Sequence, residues 1–307
     1  MKLIPTKCAI CDSFRDYTVI YDKNFDEGDL NTDTFSPRRL PDRIHYQIVK
    51  CDKDGLIRSN FVLEEPSIHK LYRKSKFTYE DEAGNLADSY LAALQPILRE
   101  LPKDARILEI GCGNGFLLKA LYDRGYQNVF GMEPSADAVA KSDRTIRNRI
   151  VADPLKSGVF QSSTFHLICF FQLFDHISDP DKFLKICYDI LLPGGFILAF
   201  NHDIEGLQAK ILRERSPIID IEHTYLYSKR TMQKVFEKHS FCTVRIYSPA
   251  NIVSLKYLTW LSPVPKWIKT KLVGLKRGVL SSLLRWRMRI KLGNLCLIAK
   301  KAQPGKP

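Results

Sequence analysis

Residues 252–307 contain no aspartate and no glutamate, yet they hold thirteen lysines and arginines. The chain has 47 basic and 34 acidic residues, so residues 1–251 are neutral overall and the net charge of +13 belongs to one region. That distribution argues against a uniformly basic, nucleic-acid-coating protein and points to a local partner. All three tryptophans, Trp260, Trp267 and Trp286, fall in the same segment. No run of roughly 18 uncharged apolar residues is present, which excludes a helical membrane span. The opening "MKLIPTKCAICD" lacks the apolar stretch of a secretory signal, and the eight cysteines are scattered rather than evenly framed. Reduced thiols and a cytoplasmic location are therefore expected. There is no internal repeat, and the short tail "AQPGKP" is the one low-complexity tract. What is there is an ordinary globular composition, 45% hydrophobic and 26% charged, in 307 residues. That length holds one large domain with an appendage, or two domains.

A coarse pass divides the chain. Residues 1–60 are turn-rich and carry "CAIC" and "CDKDGL". Residues 61–102 read as a helical connector, with Leu86, Tyr90, Leu91, Leu94, Leu98 and Leu101 on one face and Pro96 expected to kink or restart the helix. Between 103 and 302 strands and helices alternate. Strands are expected at 107–110, 129–132, 150–152, 167–171, 196–200, 243–247 and 294–299. Helices are expected at 116–122, after a Ser135 cap, at 181–192 and at 228–239. Such alternation builds a mostly parallel sheet covered on both faces.

The stretch "RILEIGCGNGFLL" (106–118) places Gly111, Gly113 and Gly115 between the first strand and its helix. Glycines at that turn let a ligand approach the main chain, and the helix N-terminus offers unpaired N–H groups. A dinucleotide loop reads G-x-G-x-x-G, but its third glycine position is Phe116 here. Glu109 adds a carboxylate that would repel pyrophosphate and welcome a cation. From the glycines alone, a plain tight turn or a nicotinamide site remains the alternative.

Together with the segments downstream of it, the loop resembles that of the class I S-adenosylmethionine-dependent methyltransferases, whose first motif is E/D-x-G-x-G-x-G. The resemblance covers 104–200. It implies a Rossmann-like α/β fold with a mostly parallel seven-stranded sheet, last strand antiparallel, and S-adenosylmethionine as cofactor. In the loop the implied contacts are Glu109, Gly111, Cys112, Gly113, Asn114 and Gly115. In "GMEPS", Glu133 stands where the family's acid takes both ribose hydroxyls, next to Pro134; in "VADP", Asp153 matches the position near the adenine amino group. "FHLICFFQLFDHISDPDKFL" resembles the family's fourth-strand segment, bringing Phe171 and Gln172 to the cofactor, and "LLPGG" closes the next helix. His166 stands where Asp is usual, and Asp175 where Glu is usual.

Cys8 and Cys11 form a C-x-x-C knuckle, with Cys51 forty residues on and Asp54 at the fourth position. A closed structural zinc site wants four ligands. The segment resembles the zinc-ribbon-like module that precedes the methyltransferase domain in a group of bacterial sugar-tailoring enzymes, where the second half reads C-x-x-C-G-L. A zinc site of three cysteines and Asp54 and a metal-free knuckle both stay open; His45 is a further candidate ligand.

Methyl transfer from a sulfonium needs positioning and, for a protonated nucleophile, a base. "SPIIDIEHTYLYS" resembles the Y-x-E-H segment of nucleotide-sugar C-methyltransferases, which offers His223 with Glu222; the tyrosine position is Asp220, so C- and O-methylation both stay open. His176 is the second candidate base, against a purely structural role, and His45, His69, His202 and His239 read as fillers. Tyr79 could reach the site, and Arg38, Arg39 and Arg43 suit a diphosphate. Residues 251–292 form a basic insertion that interleaves Leu, Ile, Val and Trp with Lys and Arg. It suits an anionic membrane face, a role compatible with a helical lid over the site, with RNA less favoured because the rest of the chain is neutral. The layout is then 1–60 module, 61–102 connector and 103–302 cofactor-binding domain. The expected activity is methylation of a small or carrier-linked sugar in bacterial polysaccharide or secondary metabolism. The alternatives are a methyltransferase acting on RNA or protein, and a non-enzymatic interaction module.

Overall fold

A computed structural model describes residues 2–31, 34, 35, 43–74, 83–261, 283, 284, 286–291 and 293–303. Arg38, Arg39, Tyr79, Trp267 and residues 262–282 of the basic insertion lie outside the described residues.

The first strands are β1 (Leu3–Ile4), β2 (Tyr17–Tyr21), β3 (Gln47–Cys51), β4 (Ile57–Asn60) and β5 (Val62–Leu63). β1 pairs with β5, and β2–β3–β4 form an antiparallel meander. Two helices follow, α1 (Glu65–Lys74) and α2 (Ala83–Leu98). Against an expected restart at Pro96, α2 runs through the proline and ends two residues later. A proline there removes a single hydrogen bond in the last turn, where few remain to lose.

The alternating part runs β6 (Ile107–Ile110), α3 (Phe116–Tyr122), β7 (Val129–Met132), α4 (Ala136–Ala140), β8 (Ile150–Val151), β9 (Phe165–Phe171), α5 (Pro180–Ile190), β10 (Leu191–His202) and α6 (Leu207–Leu212). It continues with β11 (Tyr225–Leu226), α7 (Lys229–Lys238), β12 (Phe241–Tyr247), β13 (Asn251–Ser254), α8 (Leu255–Leu261), β14 (Arg287–Ile290) and β15 (Asn294–Lys301). Seven strands make the main sheet in the order β12-β15-β10-β9-β6-β7-β8. β10, β9, β6, β7 and β8 are parallel neighbours, while β15 is antiparallel to both β10 and β12.

Side chains explain the layering. Every residue of β6 is buried, as a central parallel strand requires. Leu108 and Ile110 pack with Leu184 of α5 and Phe236 of α7, while Ile107 packs on the other face with Leu94 of α2 and Leu118 of α3. Asp179 caps α5 by accepting from Lys182 N–H, with Pro180 opening the helix. Ser228 and Thr231 form a reciprocal capping box on α7, and Ser135 accepts from Ala138 N–H at the start of α4.

Two pairings shape the site. β11 adds to the N-terminal meander beside β4, so the sheet of the first module is completed by residues just after His223. β13 and β14 form an antiparallel ribbon at the two ends of the insertion, held to α2 where Ile252 N–H donates to Ser89 Oγ at 2.7 Å.

Candidate active site

The carboxyl ends of β6, β7, β9 and β10 open on a cleft of about 370 Å³. This is the edge at which an open parallel sheet leaves room for a ligand. Gly111, Gly113 and Gly115 have φ of 72°, 56° and 73°, so the chain turns from β6 into α3 through conformations that other residues disfavour. Gly111, Cys112 and Gly113 line the cleft. Asn114 and Gly115 do not; Gly115 precedes α3, and a Cβ there would lie 2.5 Å from Ile146 Cδ1. Cys112 packs inward, and its thiol is raised by burial and then by the charges of Glu109 and Glu133.

Glu133 clamps this loop to the end of β7. Its Oε2 accepts from Gly113 N–H at 2.9 Å and its Oε1 from Ser135 N–H at 2.8 Å. Burial raises its carboxyl against the lowering effect of those two donors. Glu109 is 2% exposed, and its Oε2 has no hydrogen-bond partner among the described residues. Burial, then the charge of Glu133, pushes its carboxyl well above the usual range. An orphaned buried oxygen costs about 1–3 kcal/mol. Two such acids at a glycine loop form a cradle that a cation with donor hydrogens would satisfy, which is the chemistry of the ammonium group of S-adenosylmethionine, with the sulfonium adding a second positive charge nearby.

Pro134, Phe171 and Gln172 also line the cleft. Phe171 stacks on Tyr90 with ring centroids 4.1 Å apart, and Gln172 Nε2 donates to Asn294 Oδ1 at 3.0 Å. Asp153 is there too, but its carboxylate holds Lys156 at 2.6 Å and Arg73 at 2.9 Å, and the Lys156 hydrogen bond lowers it.

The far end of the cleft gathers groups that sequence reasoning only partly named. Asp175, in the turn after β9, faces three imidazoles: His202 Nδ1 lies 2.7 Å from Oδ2, His223 Nε2 3.8 Å from Oδ2 and His176 Nε2 3.6 Å from Oδ1. Burial alone would raise this carboxyl; His223, His202 and His176 overcome that and hold it well below the usual range. The carboxylate facing His223 is therefore Asp175, and the expected Glu222–His223 pairing gives way. A turn from Asp220 sends the adjacent side chains apart, and Glu222 meets the phenol of Tyr72. That phenol, from α1, also bonds His176 Nδ1 at 2.9 Å, so a tyrosine reaches the cluster although Asp220 holds the position of the resembling segment's tyrosine. His202, which reads as a filler in the sequence, is the last residue of β10. The signal that could have found it is its place at the carboxyl end of a strand adjoining β9.

Away from the cleft, Cys8, Cys11, Cys51 and Asp54 converge, each offering a ligand atom within 4.8 Å of the others. Cys11 Sγ and Cys51 Sγ are 3.7 Å apart, and Asp54 Oδ2 is 3.9 Å from both Cys8 Sγ and Cys51 Sγ. A tetrahedral site with arms of about 2.3 Å has edges of about 3.8 Å. These residues fit a metal, and the sulfurs are too far apart for a disulfide. His45 is elsewhere, buried beside Glu214 at 3.3 Å.

Residues 82–245, more than half of the chain, match the methyltransferase-domain family. An uncharacterized methyltransferase of Geobacillus kaustophilus is 30% identical over 151 residues, which are 44% of this chain and 68% of that protein. A ubiquinone biosynthesis O-methyltransferase of Chelativorans sp. is 29% identical over 116 residues, 35% of this chain and 45% of that one. The chain thus spans under half the length of that relative. Among solved structures, a candidate methyltransferase of Bacillus halodurans shares the fold with a TM-score of 0.50 and 16% identity, over 70% of this chain and 100% of the other. Sheet order, loop and matches agree: the chain belongs to the class I S-adenosylmethionine-dependent methyltransferases.

Proposed function

We propose that the protein methylates an oxygen, or a carbon beside a keto group, of a sugar held at the histidine end of the cleft. The observation that carries this reading is that one cleft joins the acidic glycine loop to the Asp175 cluster. When bound, S-adenosylmethionine supplies an electrophilic methyl whose C–S bond breaks as the acceptor's new bond forms. Glu109 meets the positive charge, and Glu133 keeps lone pairs for ribose hydroxyls while holding the loop. Asp153 lies on the wall where an adenine amino group would be met. The His–Asp cluster receives the acceptor, and the His223 imidazole, beside Asp175, takes the proton that the acceptor loses as the methyl bond forms. Asp220, Glu222, Gln208, Asn251 and Asn294 line the same end, a polar wall suited to hydroxyl groups. The sugar rests on that wall; the O-methyltransferase relatives favour oxygen as acceptor.

In this reading the Cys8–Cys11–Cys51–Asp54 cluster holds a structural zinc, which a thiol reagent should release at one ion per chain; a zinc-free, equally stable protein would argue against it. The basic insertion lies on an anionic inner-membrane face. Trp286, 63% exposed, supports that placement, and co-sedimentation with anionic but not neutral vesicles would test it. Among the described residues no helix is long and apolar enough to cross a membrane.

Incubation with labelled cofactor, nucleotide sugars and polymer fragments tests the main reading. A mass gain of one methyl on a sugar is expected. Transfer to RNA or protein alone would move the acceptor class, and absence of cofactor binding would leave an interaction module.

A further inference from the structure

We propose that helix α6, at the rim of the cleft, docks on an anionic lipid bilayer through Leu207 and Ile211, as an anchor separate from the basic insertion. What this placement does for an acceptor rests on the proposed methyl transfer; the docking does not.

Leu207 and Ile211 are 72% and 68% exposed, more than any other large hydrophobic residue among the described residues. They stand four apart on a six-residue helix, so they share one face. Single apolar residues on a surface need no explanation, but a neighbouring pair this exposed marks a contact. The helix does have an inner side: Ala209 is buried and Gln208 lines the cleft. Packing against the domain is therefore met from that side, and the two aliphatics are left for something outside it.

Charge decides what that something is. Lys210, Arg213 and Arg215 are exposed on the helix or just after it. At its start, Asp203 N–H donates to the carbonyl of Gly293 at 2.8 Å, and a Cβ on Gly206 would lie 2.7 Å from Gly293 Cα. This contact brings the end of β14, with exposed Arg289 and Lys291, to the start of α6. Five cations thus stand beside the pair against two carboxylates, Glu205 and Glu214, and Glu214 meets His45 at 3.3 Å. Aliphatics flanked by lysine and arginine suit a bilayer, where the apolar side chains enter the acyl boundary and the cations meet headgroup phosphates. A soluble anion would use the cations and leave the aliphatics in water. An apolar protein face would cover the aliphatics and strip water from the cations. Because Gln208 lines the cleft from the same helix, docking sets the cleft mouth near the headgroups, where a carrier-linked acceptor is presented.

The test is co-sedimentation of the full chain with vesicles of phosphatidylglycerol and phosphatidylcholine, set against phosphatidylcholine alone. Leu207→Gln combined with Ile211→Gln should weaken binding to the anionic vesicles at least about tenfold. Unchanged melting temperature and S-adenosylmethionine affinity are the checks on folding. In the wild-type chain, hydrogen exchange in residues 205–215 should slow on anionic vesicles and not on neutral ones. Wild-type affinity in the double variant, or exchange in 205–215 that ignores the vesicles, would overturn the anchor and leave the placement of the insertion standing. A dimer lost in the variant while vesicle binding persists would overturn it too, giving the face to a second copy. No binding of the wild-type chain to anionic vesicles would overturn both anchors. Failure to bind S-adenosylmethionine would instead sink the methyltransferase reading and leave the docking result standing.

Discussion

His202 donates its Nδ1–H to Asp175 Oδ2 across 2.7 Å, tying the end of β10 to the turn after β9. The two residues are 27 apart in sequence. They meet because β9 and β10 are parallel partners whose carboxyl ends share the ligand edge. The bond fixes the carboxylate and decides which oxygen is left to face the cleft.

His202 should therefore be a positioning residue. His202→Leu removes the donor and should lower turnover about 10- to 100-fold, with S-adenosylmethionine affinity unchanged. His202→Asn keeps a donor near the same place and should recover much of that loss. Steady-state kinetics with calorimetry reads both; equal loss in the two variants would reduce the bond to general structure.

Glu109 carries opposite signs for stability and binding. Its folded carboxyl is raised above the ordinary value of 4.5 by burial and by Glu133. Its contribution to stability is thus complete below that value and lost as pH rises through the raised one. Without ligand, Glu109→Gln should melt higher than wild type at pH 7, with the gap closing near pH 4. The same variant should bind S-adenosylmethionine at least about tenfold more weakly, since a charge-assisted contact is worth roughly 1.5–3 kcal/mol. In the wild type, binding should release a proton and tighten as pH rises. Calorimetry in buffers of different ionisation heat measures that proton.

How much of this was legible in the sequence depends on distance along the chain. Gly111, Gly113, Gly115, Glu109 and Glu133 lie within one β–α–β unit, so the motif that carries the family resemblance could be read in one short stretch. The alternation from 103 onward likewise anticipated the sheet. The histidine end draws Tyr72 from α1, Asp175 and His223 from two connections and His202 from the end of β10, and no local pattern marks them as neighbours. Sequence proximity even misled, pairing His223 with Glu222 when the turn at 220–223 delivers it to Asp175. The strand β11 was invisible for a related reason: two residues carry no period, and only pairing with β4 makes them a strand.

Asp181, in the first turn of α5, joins the N-terminal segment to α7. It pairs with Lys7, with Lys238 at 3.1 Å and with His239 at 2.7 Å. Burial would raise its carboxyl, but Lys7, Lys238 and His239 lower it from 3.8 to about 2. A depressed carboxyl stabilises above its unfolded value, and that contribution fades as pH falls from 3.8 to about 2. Because the group is partly exposed, Asp181→Asn should cost only about 1 kcal/mol at pH 7. Urea unfolding should show the difference vanish near pH 2; a constant gap would mean that charge is not its source.

Calorimetric titration of the wild-type chain tests most directly the central claim, that the acidic glycine loop holds a cationic sulfur nucleoside. Saturable one-site binding of S-adenosylmethionine is expected, with no heat from a nicotinamide dinucleotide. Binding of the dinucleotide in its place, or silence from S-adenosylmethionine, would contradict it.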